Sequence, residues 1–443
     1  MATTQTIPNP AASTPEFFDL LRVFTRIGCL SFGGPAGQIA LMHSEVVEKH
    51  RWVDEEQYLH ALNFCHLLPG PEAQQLATWI GWRLHGLKGG LAAGLLFVIP
   101  GALLMLMLSA LYTLAANLDW FAALFLGIKA AVLAIVVQAL IRIGARALNT
   151  RFKQALALAA FLGLFLFNLP FPLVVLGAGA LGMIIAAYRP DWLALKPSTG
   201  EALAPRPTFV SMGRTILLWG AIWALPLALV LATLGQDHVL WDIGLFFSQL
   251  AIVTFGGAYA VLAYMAQEAV QTFGWLQPGE MADGLGLAET TPGPLILVTQ
   301  HVGFLAAFRA PEPFSPIVAG IIGAALTTWV TFAPCFLWIF TFAPWIERLQ
   351  QATRLKGGLA ALTAAVVGVI ANLSVWFALH VLFARVGSTE FGPLRIQWPD
   401  LTSLDWRAAV LTMAAAVILF ALKWSIFRML AVLAVAGLAL GSL

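Results

Sequence analysis

Long apolar runs almost free of charged residues are the feature that most restricts this chain. They cover residues 89–114, 119–145, 153–168, 170–188, 214–234, 314–344, 357–384, 405–421 and 426–442. Each can reach across most or all of a hydrocarbon layer of about 30 Å as a helix. Continuous runs also argue against a membrane β-barrel, whose strands alternate every second residue. Of the 443 residues, 60% are hydrophobic and only 10% are charged. Soluble domains carry roughly 25% charge, so this chain lacks the polar surface of a soluble enzyme. It is equally far from the low-hydropathy composition of disorder. A formal net charge of +2 gives no reason to expect a nucleic-acid partner. Cys29, Cys65 and Cys335 are scattered through apolar sequence and form neither a disulfide framework nor a zinc pattern. The expected fold class is all-α: a polytopic helical membrane protein in contact with the lipid bilayer.

Residues 1–15 form a polar tail with Pro8, Pro10 and Pro15 and no basic residue, unlike the start of a secretory signal. Four further stretches are apolar but interrupted. Residues 17–48 break at Phe32-Gly33-Gly34-Pro35, and 57–85 at Pro69-Gly70-Pro71. Residues 239–270 break at Phe255-Gly256-Gly257, and 278–309 at Pro292-Gly293-Pro294. Half-segments of this size are too short to cross alone, so each pair reads as a re-entrant hairpin with a Gly/Pro tip. Such backbone survives at membrane depth only against protein or a watery cavity.

The breaks recur because the chain is duplicated. At a shift of 223, residues 16–71 overlie 239–294 without a gap. About 14 positions are identical, where chance gives roughly 3 or 4. Pro100 and Pro334 match at a shift of 234, as do Ala130-Ala131-Val132 and Ala364-Ala365-Val366. Basic loops fall at Lys49–Arg51, Arg83–Lys88 and Arg142–Lys153 in the first copy, whereas 115–118 carries none. In the second copy the pattern inverts: 266–280 has no Lys or Arg, while Arg348, Arg354 and Lys356 lie in 345–356. Arg309 is a partial exception. Because Lys and Arg collect on the cytoplasmic side, the copies are expected to face opposite ways. The expected division is a tail at 1–15, a first repeat at 16–188, a basic cytoplasmic connector at 189–213, a linking helix at 214–238 and a second repeat at 239–443. Inverted repeats with broken helices are the architecture of secondary transporters, with the site at the repeat interface.

The tips are the first place to look for that site. A helix that begins just after a tip points unpaired backbone N–H groups and a positive dipole end inward, which suits an anion. The candidate substrate-binding residues of the first copy are Ser31, Gly33, Gly34, Gln38, Pro69, Gly70, Pro71, Gln74 and Gln75, with Thr78 nearby. Those of the second are Thr254, Gly256, Gly257, Thr290, Thr291 and Gly293, with Thr299 and Gln300 nearby. The competing reading is that the breaks only let helices approach closely. Lys129 stands mid-segment without an acid within a turn, so its counter-charge is either the substrate anion or an acid from another helix. Arg26 lies close in sequence to the first tip and is a ligand candidate; Arg22, one turn earlier, can snorkel to the interface. Glu45, His66, Glu72, Glu268 and Glu289 are coupling or gating candidates, although an acid at a helix start can be a simple cap and a lone histidine a packing residue. No zinc-protease, Walker or nucleophile-elbow signature occurs, so neither an enzyme, a cofactor nor a resident metal is expected.

Three strings carry a resemblance: Phe32-Gly33-Gly34-Pro35-Ala36-Gly37-Gln38, His66-Leu67-Leu68-Pro69-Gly70-Pro71-Glu72-Ala73-Gln74-Gln75-Leu76-Ala77 and Gly81-Trp82-Arg83. Together with Thr254-Phe255-Gly256-Gly257 and Thr291-Pro292-Gly293-Pro294, they resemble the chromate ion transporter family in its long, two-domain form. The resemblance covers most of the chain. It implies export of the chromate dianion from the cytoplasm across a bacterial inner membrane, and chromate resistance. Ala258 and Leu295 stand where the first copy has Pro35 and Glu72, so the copies are not expected to bind alike. Sulfate, a tetrahedral dianion of similar form, is the alternative substrate, for an importer or an exchanger. A membrane-embedded reductase would need a cofactor site that the sequence does not offer, and a passive channel is the remaining reading. Partners expected are the permeating oxyanion, the bilayer and a second copy of the chain in a homodimer.

Overall fold

The computed structural model describes residues 15–32, 34–115, 118–195, 209–255, 258–346, 352–392 and 394–441. The candidates Gly33, Gly256 and Gly257, most of the N-terminal tail and much of the connector at 189–213 lie outside the described residues.

Every apolar run is helical, and each expected interruption is a helix end. In the first copy the elements are α1 (Phe17–Leu30), α2 (Gly34–His43) with a π-helical turn (Ser44–Lys49), and α3 (Glu55–Cys65). Then come α4 (Glu72–Ala115), α5 (Asp119–Ala147), α6 (Arg151–Phe167) and α7 (Phe171–Tyr188). Helix α8 (Phe209–Leu234) links the copies. The second copy follows the same order: α9 (Val239–Val253), α10 (Ala258–Gln267) with a π turn (Glu268–Thr272), and α11 (Pro278–Thr290). It continues through α12 (Val298–Arg309), α13 (Pro316–Phe342), α14 (Thr353–Leu382), α15 (Trp406–Ala416) and α16 (Ile426–Gly441). At a shift of 234, α5 overlies α14 almost end to end.

Helix α4 is two helices. At His85 (φ −134°) and Gly86 (φ 61°) the chain reverses, and Gly81 then packs so closely on Gly89 that an added Cβ would lie 2.2 Å from the Gly89 carbonyl oxygen. Helices α12 and α13 close on each other through Gly303 and Gly323 in the same way. Without water to drive association, small residues let backbones pack tightly enough for dispersion to hold them.

Among the described residues, six helices are long and apolar enough to cross a membrane: α4, α5, α7, α8, α13 and α14. Leu103, Leu114, Leu217 and Leu225 expose 63%, 71%, 76% and 65% of their surface on them. Apolar side chains turned outward in this number call for lipid, not water, around the bundle. The short half-helices turn one face into the bundle, with Leu20, Phe24, Phe247, Met42 and Met265 fully enclosed.

One element departs from an all-helical reading. Strands β1 (Val386–Phe391) and β2 (Leu394–Pro399) form an antiparallel hairpin, pairing Val386 with Pro399 through Phe391 with Leu394. Val386, Thr389, Phe391, Ile396 and Trp398 are residues that favour a pleated ribbon, and Gly392 turns at φ 59°. The first copy has only residues 148–150 at the corresponding place, so the hairpin belongs to the second copy alone.

Candidate functional site

The four tips converge on one another. The Gly70 N–H donates to the Thr254 carbonyl at 2.8 Å, and the Gly293 N–H donates to the Ser31 carbonyl at 2.8 Å. These two bonds are one bond seen twice, because the shift of 223 carries Gly70 to Gly293 and Ser31 to Thr254. Each Pro-Gly-Pro tip is thus tied to the Gly-Gly tip of the other copy. Gly70 sits at φ +114° and Gly293 at φ +94°, backbone that L side chains rarely adopt. Glycine at these two positions lets the N–H turn across the interface without strain.

A small cavity of about 20 Å³ lies where the tips meet, bounded by Pro35 and Gln38, by Gly70, Pro71 and Glu72, by Thr254, and by Pro294 and Ile296. That is room for about one water and too little for a tetrahedral oxyanion. Helices α2 and α4 begin at this cavity, and so does the short 3-10 turn Leu295–Leu297 that leads into α12. The first N–H groups of a helix have no partner within it, so the starts of α2 and α4 present donors and the positive ends of two helical dipoles.

Polar side chains line the meeting point unequally. Gln38 is 1% exposed, and its Nε2 donates to the Gly293 carbonyl at 2.5 Å. Gln75 Nε2 donates to the Pro69 carbonyl at 2.6 Å. Gln74 Nε2 has only the Thr78 hydroxyl, at a weak 3.4 Å. The Ser31 hydroxyl and the Oε1 atoms of Gln74 and Gln75 are buried without a partner. Buried polar atoms are normally satisfied; of these three orphans the Ser31 hydroxyl can donate to an anion, whereas the two amide oxygens can only accept. In the second copy the hydroxyls are already engaged. Thr254 donates to Leu250, Thr290 to Leu287 and Thr291 to Ala288. Val261, Leu297 and Val298 stand where the first copy has Gln38, Gln74 and Gln75.

Other candidates lie away from the tips. Arg26 is 58% exposed, with Nε 3.8 Å from Glu45 Oε1. It reaches the buried carboxylate of the π turn instead of Ser31. Glu45 is 1% exposed and receives Lys49 Nζ at 2.7 Å. Glu268, at the equivalent turn, is half-buried. His66 Nδ1 lies 3.1 Å from Glu72 Oε1. Tyr259 donates to Glu289 Oε1 at 2.9 Å. Lys129 meets an acid from another helix: Nζ lies 3.2 Å from Asp283 Oδ1 on α11. An acid from another helix is thus the counter-charge of Lys129 in this structure.

Sequence reasoning passed over Asp283 and the groups behind it. Tyr112 donates to Asp283 Oδ2 at 2.8 Å, and its ring stands edge-on to His301 with centroids 5.2 Å apart. Ser109 Oγ lies 2.9 Å from His301 Nδ1. The available signal was an acid midway along a half-helix that also carries Glu280 and Glu289. Among the described residues, no group of three His, Cys, Asp or Glu is placed to hold a metal ion.

A far larger cavity, of about 740 Å³, adjoins the tips and shares Pro35 and Glu72 with the small one. Its wall includes His43, Tyr58, Leu59, Arg142, Arg146 and Thr363. Arg142 and Arg146 line it together with Glu48 and Glu72, so basic and acidic side chains both face this vestibule.

The chromate transporter family model matches residues 18–183 and 241–440, one stretch in each copy. A chromate transport protein of Pseudomonas aeruginosa is 32% identical over 394 residues, covering 88% of this chain and 87% of the relative. A probable chromate transport protein of Synechococcus elongatus is 29% identical, covering 83% of this chain and 85% of the relative. A chromate transport protein of Cupriavidus metallidurans is 27% identical, covering 83% of this chain and 84% of the relative. No solved structure matches.

Proposed function

The chain belongs to the chromate transporter family, and we propose that it exports chromate from the cytoplasm across a bacterial inner membrane, with the anion held where the four tips meet. The reciprocal pair of hydrogen bonds, Gly70 to Thr254 and Gly293 to Ser31, is the observation that carries this reading. It brings the helix starts of both copies to one point inside the bundle, where amide N–H groups, Ser31, Gln38, Gln74 and Gln75 can replace the water around a tetrahedral dianion. Neutral donors suit a guest that must leave again, because a full set of cations would hold it too tightly.

The two copies act as inverted repeats in this proposal, as the placement of their basic loops supports. Arg142 and Arg146 then put the 740 Å³ vestibule on the cytoplasmic side. A 20 Å³ cavity means that the tips must part to admit the anion. Export also suits the electrostatics. One charge crossing 100 mV is worth about 2.3 kcal/mol, so a dianion leaving a negative interior gains about 4.6 kcal/mol. That alone supports a gradient of more than about a thousandfold. Proton exchange is an addition that Glu72 with His66, or Glu289, would serve.

Labelled chromate uptake into inverted vesicles, with membrane potential and pH gradient set separately, tests the proposal. Uptake driven by an inside-positive potential is expected, and unlabelled sulfate reports the selectivity. Absence of chromate uptake under every gradient would overturn the reading. Sulfate uptake that excludes chromate would move the chain to the alternative oxyanion.

A further inference from the structure

The equivalent entrances of the two copies stand in different states. In the first copy α3 is held off α14, with Leu59 of α3 and Thr363 of α14 both lining the 740 Å³ vestibule. The repeat carries α3 onto α11 and α14 onto α5. There the gap is shut. Leu59 is 44% exposed and its counterpart Ala282 is 2% exposed; the His66 side chain is 45% exposed and its counterpart Glu289 is 5% exposed. Gly286 packs on Ile128 so closely that a Cβ would fall 2.2 Å from its Cγ2. Lys129, the counterpart of Thr363, reaches across to Asp283, the counterpart of His60, at 3.2 Å.

We infer that the Lys129–Asp283 pair is the latch of a second vestibule, closed here and equivalent to the open one, and that on opening Lys129 exchanges the Asp283 carboxylate for the permeating oxyanion. The inference rests on the proposed transport of an oxyanion through the tips. Helix α11 ends at Thr290, and the Pro292-Gly293-Pro294 tip follows directly. Swinging α11 off α5 therefore opens a route from the tips past Lys129. A lysine left alone in the bilayer interior is costly, and a passing dianion is the only mobile counter-charge the reaction supplies. Asp283 is the resident that the dianion displaces. Tyr112, bonded to the other carboxylate oxygen, keeps Asp283 oriented and hydrogen-bonded while the lysine is away.

A chain carrying Ala282→Cys and Cys29→Ser, in which Cys65 and Cys335 stay buried, tests the latch with a membrane-impermeant maleimide applied to right-side-out and to inverted vesicles. Leu59→Cys in the same background marks the open entrance. A minor open state populated at about 0.1–10% predicts slow labelling of Ala282→Cys, from the face opposite to that which labels Leu59→Cys. Adding Asp283→Asn should accelerate it about tenfold. Labelling from the same face, or a rate unmoved by Asp283→Asn, overturns the latch. With Asp283 intact, labelling should rise during chromate turnover, and a rate that stays flat also counts against it; this arm holds even if Asp283→Asn misfolds. For the exchange, Asp283→Asn is expected to keep transport that Lys129→Gln/Asp283→Asn loses, and Lys129→Arg should retain part of it. Equal transport by the single and double variants removes Lys129 from the anion's path. Opposite-face labelling without chromate or sulfate uptake would instead keep the latch and discard the substrate reading.

Discussion

The half-helices α3 and α11 descend from one ancestral segment, yet one borders a wide cavity and the other is sealed into the bundle. Their flanking turns and tips are nearly superposable in sequence, with Glu45, Trp52 and Pro69-Gly70-Pro71 answering to Glu268, Trp275 and Pro292-Gly293-Pro294. The difference comes from what each faces. Helix α3 carries Leu59, Leu62 and His66 toward Thr363, Arg142 and Arg146, none of which closes on it. Helix α11 carries Asp283 and Gly286 toward Lys129 and Ile128, which grip it by charge and by close contact. The proposed mechanism requires such a difference, because two entrances open at once would make a leak. The polar lining at the tips is divided in the same sense. The first copy supplies Ser31, Gln74 and Gln75 with buried atoms that have no hydrogen-bond partner, whereas the second supplies threonines already bonded to their own helices.

The strongest way to break this comparison is at the feature both halves share. Gly70→Val and Gly293→Val should each abolish chromate uptake, since a β-branched residue at φ +114° or +94° carries strain of about 1–3 kcal/mol and disturbs the reciprocal bond. Loss in one variant alone, with normal expression of both, would show that the tips are unequal. Next in size is the latch. Lys129→Ala leaves a buried carboxylate without its cation and should lower stability in detergent by about 3–5 kcal/mol. Thr363→Ala at the matching position should shift the thermal midpoint hardly at all. Replacing both charges, as in Lys129→Met/Asp283→Leu, should recover most of that stability while still impairing transport.

Smaller effects sharpen the contrast at the tips. Ser31→Ala removes a hydroxyl that no protein group uses, so stability should hold while the half-saturating chromate concentration rises. The loss of one hydrogen bond of about 0.5–1.5 kcal/mol corresponds to roughly two- to tenfold. Thr254→Val should affect binding less, because its hydroxyl is already donated to Leu250. The smallest effect is expected at the hairpin. Arg395→Ala breaks an ion pair with Glu390 in which the two side chains are 49% and 68% exposed, so stability should move by no more than about 0.5 kcal/mol. A larger change measured by thermal unfolding would assign the hairpin a packing role that the first copy lacks.

Much of the architecture was legible in the residues. The apolar runs marked the helices because a bilayer tolerates no unpaired backbone, and Phe32-Gly33-Gly34-Pro35 and Pro69-Gly70-Pro71 marked helix ends because glycine and proline are clustered there, whereas the single Pro100, Pro226 and Pro334 stay inside helices. The duplication was visible for the same reason, since those breaks recur at a constant shift. The hairpin at 386–399 was not visible against so many helices. A short alternating segment is a weak signal, and only the paired register of Val386 to Pro399 makes it a ribbon.

Side-chain partnership was another matter. Arg26 looked close to the first tip along the chain, but a helix turns its residues to different faces, and Arg26 faces Glu45. Lys129 had two readings in the sequence because its partner lies more than 150 positions away, on another helix. The duplicated, broken-helix architecture was written into local chemistry: hydropathy, glycine and proline act where they stand. The meeting of the four tips, the pairing of Lys129 with Asp283 and the wide cavity beside α3 but not beside α11 depend on contacts between remote segments, and only the packing of those segments decided them.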